Sequence, residues 1–237
     1  MEPVNAAVAD GPSDGSNESG NGSGESPEAP TLGMILRAVE ELWPEILAED
    51  WDEVGLVAGR PSAAVRKILF AVDPTLEVIE EAIGFGAQLL ITHHPLLLRG
   101  VTSVAATTAK GRAVHRLIES GTALLTVHTN GDSAVGGVSD VLADALGLQD
   151  VSPLTPAADG LPEEGIGRVG DLPEVLTLGD FAARVFGILP SVAGGVRVSG
   201  DSDGLMVVAA TPAQASALAG ASTQGKLFFV LVGSTRR

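Results

Sequence analysis

The sequence predicts an α/β fold in which mostly parallel or mixed sheets are flanked by helices, arranged as two similar lobes. Three observations carry that expectation. The runs "KILFAVD", "AQLLITHH" and "TALLTVHTN" are rich in Val, Ile and Leu without polar alternation, the pattern of strands covered on both faces. The stretches between them place apolar residues at helical spacing, so the order reads strand, helix, strand, helix, strand. The same alternation resumes beyond a proline-rich stretch at residues 149–165.

Residues 1–30 are Gly, Ser, Asn and acid with little to bury, and are expected to be a disordered tail. The first lobe spans 31–148. Thr31 is placed to cap a helix whose apolar positions are Leu32, Ile35, Leu36, Val39 and Leu42. "WDEVGLVAG" follows as a turn-rich stretch with two glycines. "KILFAVD" is a buried strand, "PTLEVIEEAIGFG" a helix opened by Pro74, and "AQLLITHH" the next strand. Such a unit implies a parallel pair joined by a right-handed crossover. "AKGRAVHRLIESG" is a helix ending at Gly121, "TALLTVHTN" a strand, and "GVSDVLADALG" a helix stopped by Gly147.

Residues 149–165, with three prolines, read as a linker loop. The second lobe, 166–237, contains "IGRVGDL" and "GGVRVSG" as strands flanking the helix "TLGDFAARVFGIL". It continues with "LMVVAA", a helix start at Thr211-Pro212, and a last strand, "KLFFVLV".

Composition removes several classes of function. The chain has no cysteine, which excludes disulfides, Cys-type zinc sites, thiol nucleophiles and iron–sulfur clusters. Its formal charge is −16, of which the tail's six acids supply −6. That balance argues against a nucleic-acid partner, which needs clustered Lys and Arg. No apolar run approaches the roughly 20 residues of a membrane helix, so no membrane partner is expected. The start of the chain lacks a basic region followed by an apolar core, so a cytoplasmic protein is expected. "AVGGVSD" lacks the lysine of a phosphate-binding loop, no G-x-G-x-x-G follows a strand, and no G-x-S-x-G is present.

The candidate chemistry lies in the histidines. His115 sits mid-helix and reads as a surface residue. His93 and His94 end one parallel strand and His128 ends the next, and ligands of open α/β sheets bind beyond the carboxyl ends of the strands. Asp132 follows on the loop leaving that second strand. Imidazoles and a carboxylate at one sheet edge suit a divalent transition metal. Adjacent strand residues point to opposite faces, while Pro95 keeps His94 extended and stops the ladder. Each histidine of the pair can then hold a different ion, with Asp132 bridging ions roughly 3.5–4 Å apart. A His-His pair alone is weak as a signal, and the second His-and-Asp motif on the adjacent strand end strengthens it. Asp73, which closes "KILFAVD", could line the same pocket but is favoured as a cap for the following helix. From the residues alone the reading stops at a metal-binding α/β protein.

Four ordered motifs carry it further. "WDEVGLVAG", "LLITHHPLLLRG", "KGRAVHRLI" and "VHTNGDSAVGGVSDVLADALGL" together resemble the GTP cyclohydrolase I type 2 homologue family, the Nif-three-like proteins. The resemblance runs from about Met34 to Gly200. It implies an α/β fold with a dinuclear metal centre, assembled into toroidal homohexamers. By motif it implies His93, His94 and Asp132 as metal ligands, and for His128 a catalytic role, either touching substrate or supporting the ligands. The implied cofactors are divalent ions (zinc, iron or manganese, one or two per chain), and the implied partner is a small-molecule substrate, possibly a nucleotide. The family name implies opening of the GTP imidazole ring, with formate released by metal-activated water. The family also closes its metal site with a C-terminal His-x-x-x-Glu, whereas no histidine follows His128 here. A chain cut short or shifted in frame before that segment is the simplest expectation, and ligands from a neighbouring subunit are the other. Two functions therefore stay open: a metal-dependent hydrolase, and a non-catalytic member that binds one metal weakly and serves as an oligomeric interaction protein.

Overall fold

The computed structural model describes residues 7–8, 29–158, 160–189 and 196. The chain divides into two compact units, Met1–Gly131 and Asp132–Arg237.

In the first unit, α1 (Leu32–Leu42) begins where expected, with the Thr31 hydroxyl accepting from the Met34 N–H at 3.3 Å. A mixed five-stranded sheet follows, built from β1 (Ala7–Val8), β2 (Gly55–Ala58), β3 (Ile68–Ala71), β4 (Leu89–Thr92) and β5 (Ala123–Thr126). Its order is β1-β3-β4-β5-β2, with β3, β4 and β5 parallel and both edges antiparallel. The parallel centre matches the three apolar runs. Two edge strands fall where none was expected. Ala7–Val8, within the expected disordered tail, pairs with Leu69 and Phe70 of β3. Gly55–Ala58, within the stretch expected only to turn, pairs with β5. Four residues opening on a glycine at φ +94° carry too little periodicity to announce a strand.

Every residue of β4 and β5 is buried, because helices cover both faces of the sheet. On one face Leu69, Leu90 and Leu124 meet Val78, Ile79 and Ala82 of α2 (Leu76–Phe85) and Val114 and Leu117 of α3 (Ala109–Ser120). On the other, Leu89, Ile91, Ala123 and Leu125 cluster with Leu32 of α1. The α3 helix ends at Gly121, whose φ of 73° is the left-handed conformation that glycine adopts without steric penalty. Beyond β5 the chain enters a short helix, α4 (Thr129–Ser133), rather than the loop expected around Asp132.

The second unit carries α5 (Val138–Leu146), stopped by Gly147 as expected, then β6 (Gln149–Pro156), β7 (Gly165–Asp171) and α6 (Leu178–Ile188). The expected linker loop at 149–165 is thus corrected: its first half is a strand, paired antiparallel with β7. Prolines are tolerated there because, among the described residues, β6 pairs with β7 alone, so a missing N–H can face away from the ladder. Among the described residues of this unit, Leu146, Phe181 and Val185 form a buried apolar cluster. The buried Arg168 guanidinium joins the turns around it. It pairs through both Nε and Nη2 with the Asp140 carboxylate and donates to the carbonyls of Gly165, Gly167 and Ala134. The expected elements "GGVRVSG" (apart from Val196), "LMVVAA", Thr211-Pro212 and "KLFFVLV" lie outside the described residues. No helix among the described residues is long and apolar enough to cross a membrane.

Candidate metal centre

Three histidines of the first unit meet at the carboxyl edge of its parallel strands. His93 and His94 follow β4 directly, and their backbone N–H groups donate to Ala71 and Val72 carbonyls at 3.1 and 2.8 Å, continuing the ladder just past its assigned end. His128 lies two residues beyond β5, its N–H donating to Asn130 Oδ1 at 2.9 Å. Asn130 Nδ2 in turn donates to the Trp43 carbonyl at 2.8 Å, which ties this turn to the end of α1. The ring centroids are 5.2 Å apart for His93 and His94, 5.1 Å for His93 and His128, and 5.7 Å for His94 and His128. One ligand nitrogen from each lies within 4.8 Å of those from the other two.

Each ring is held through Nδ1 by an acceptor. His93 Nδ1 meets the Val127 carbonyl at 3.0 Å, His94 Nδ1 meets Asp73 Oδ1 at 2.7 Å, and His128 Nδ1 lies 2.9 Å from both Asp52 oxygens. A carbonyl or carboxylate can only accept, so Nδ1 carries the proton in all three rings. In the neutral imidazole the lone pair then resides on Nε2. That arrangement is the one by which outer partners orient metal-binding histidines and fix their tautomer. The donor set therefore fits a divalent ion that takes imidazole nitrogen.

Asp73 corrects an expectation. Thr75 caps α2, its hydroxyl accepting from the Val78 N–H at 3.3 Å, and Asp73 instead holds His94. His115, on α3, is half-exposed beside Glu119 at 3.8 Å, the surface role expected of it. Asp132 opens the second unit, on α4 and four residues beyond His128.

Asp52 was not anticipated. Its side chain has no exposed surface, and it accepts from the Thr129 N–H at 3.1 Å and the Thr129 hydroxyl at 2.5 Å as well as from His128. Burial by itself would push this carboxyl up. The hydrogen bonds from His128 and Thr129 outweigh burial and hold it down at about 2, against an ordinary 3.8. A lowered carboxyl favours the folded state above its unfolded value and loses that contribution as pH falls through the folded one. Metal-free Asp52→Asn should accordingly be less stable than wild type by roughly 2 kcal/mol at pH 6. The gap should close between pH 4 and pH 2 in urea denaturation, whereas a gap unchanged down to pH 2 would mean the network does not favour the ionised carboxylate.

The family model described as Duf34/NIF3 (NGG1p interacting factor 3) matches residues 30–225. The chain belongs to the Duf34/NIF3 family. Among curated relatives of this NIF3-family chain, a "GTP cyclohydrolase 1 type 2 homolog" of Streptomyces coelicolor is 51% identical over 175 residues, covering 73% of this chain and 61% of the relative. A Mycobacterium tuberculosis protein of the same name is 49% identical over 125 residues, covering 53% of this chain and 32% of the relative. The chain thus spans less than two thirds of the length of these curated relatives. Among solved structures, a Staphylococcus aureus hypothetical protein superposes with a TM-score of 0.70 at 27% identity, over 89% of this chain and 81% of that one. A Bacillus cereus protein related to NIF3 gives a TM-score of 0.52 at 39% identity, over 54% of this chain and 36% of that one.

Proposed function

We propose that this NIF3-family chain is a metal-dependent hydrolase acting on a nucleotide or a related heterocycle. The observation that carries the reading is the common orientation of three imidazoles, each with Nδ1 tied to an acceptor and Nε2 left as the lone-pair nitrogen. His93 and His94 are the proposed histidine ligands, and the HTN-x-D motif adds Asp132 as the proposed carboxylate ligand. A divalent zinc, iron or manganese ion supplies, when bound, Lewis acidity and a water whose pKa falls from 15.7 to about 7.

The remaining chemistry belongs to side chains. His128 Nε2 accepts a proton from water, and the buried Asp52 carboxylate keeps the ring in the required tautomer and orientation. Trp51, edge-on to the His128 ring at 6.0 Å, limits the ring's freedom to turn. A second reading makes His128 a third metal ligand, and its membership of the same nitrogen cluster favours that. His128→Ala separates the two: a base lost leaves metal content intact, a ligand lost lowers it.

GTP is the first probe. The metal-loaded protein should release formate from it, and a chelator should stop the release. A metal-loaded protein that leaves GTP and other nucleotides intact would instead support the non-catalytic, metal-binding alternative. Assembly as a homo-oligomer, a hexamer by family resemblance, is likewise proposed, and light scattering on the purified chain tests it.

A further inference from the structure

The crossover from β4 to β5 carries charge of one sign. No acidic residue occurs between Glu81 and Glu119, and the cations there are Arg99, Lys110, Arg112 and Arg116. Arg116 is neutralised by Glu80, with Nη2 to Oε2 at 2.7 Å. Arg99, Lys110 and Arg112 are exposed and form no ion pair among the described residues. In a chain of charge −16, this is a segment where an anion meets attraction rather than repulsion.

Topology places these cations at the histidine edge. Because β4 and β5 are parallel, α3 runs back across the sheet, and its first turn lies at the edge where β4 leads into His93 and His94. Arg99 follows His94 by five residues, and Lys110 and Arg112 begin α3. The strap before α3 is seated firmly on it, since a Cβ on Gly111 would lie 1.9 Å from the Ala105 carbonyl oxygen. The first turn of α3 contains cations and no acid, the unfavourable arrangement for the helix dipole, and a bound anion reverses that disadvantage.

We infer that Arg99, Lys110 and Arg112 form an anion-reading lip on the histidine site, and that the substrate carries a phosphate chain. The inference rests on the hydrolase reading for the identity of its ligand; its test does not. Inorganic tripolyphosphate is the probe, measured by calorimetry on the full chain with and without chelator. R99A/R112A should weaken binding about ten-fold or more, and wild-type affinity should fall steeply with added salt. R60A/R66A is the matched control. It removes the same charge from exposed residues at the opposite edge of the sheet, where the Arg66 N–H donates to Gln88 just before β4. Its effect should stay below about two-fold at moderate salt. Equal losses in both double variants, or none in R99A/R112A, would overturn the lip. If the chain holds no metal, the hydrolase reading fails while this comparison still decides the lip.

Discussion

His94→Ala is expected to abolish divalent-metal binding and leave the fold of the first unit intact. The ring is half-exposed, with 46% of its side-chain surface accessible, and stands just past the end of β4. Its hydrogen bond runs to Asp73, which is also exposed, so truncation opens no cavity and strands no buried charge. Stability should therefore change by no more than about 0.5 kcal/mol. Metal affinity should fall by more than about 100-fold, because loss of a mere outer partner of a ligand already costs about 10–100-fold. Elemental analysis beside urea denaturation reads both quantities. A variant that retains full metal content would remove His94 from the site.

Arg168→Ala has the opposite signature: a large loss of stability with no direct effect on the histidines. Arg168 keeps only 3% of its side-chain surface exposed, and its five N–H groups are spread over Asp140 and three carbonyls. The Arg168 hydrogen bonds are also what hold the Asp140 carboxyl below its usual range. Truncation leaves that carboxylate with only the Gly136 N–H at 2.7 Å and the carbonyls without the guanidinium, which should destabilise the second unit by about 3–5 kcal/mol. Denaturation followed by a probe within 132–189 measures it. A loss below about 1 kcal/mol, the size typical of exposed pairs, would show that solvent replaces the guanidinium easily.

What the sequence disclosed follows from which interactions are local. Val, Ile and Leu runs buried on both faces declared β3, β4 and β5 at once, and Thr31, Gly121 and Gly147 marked helix ends through chemistry confined to a few residues. With those strands in place, the convergence of His93, His94 and His128 on one edge is legible in the sequence. Asp52 was not readable. It reaches His128 because β2 pairs antiparallel with β5, bringing Gly55 opposite Thr126, and nothing local in "WDEVGLVAG" announces that pairing. Asp73 was misassigned for a related reason: a residue before Pro-Thr suits a cap, and its partner 21 positions away is set only by the sheet. The strand in 149–165 was hidden by prolines that its pairing with β7 accommodates.

X-ray absorption on the zinc-loaded full chain tests the central claim most directly, because it counts the imidazoles on the ion. The account predicts a first shell of nitrogen and oxygen at about 2.0–2.1 Å, with multiple scattering from at least two histidines that diminishes in His94→Ala. A first shell of oxygen alone, or a spectrum unchanged by that substitution, would contradict it.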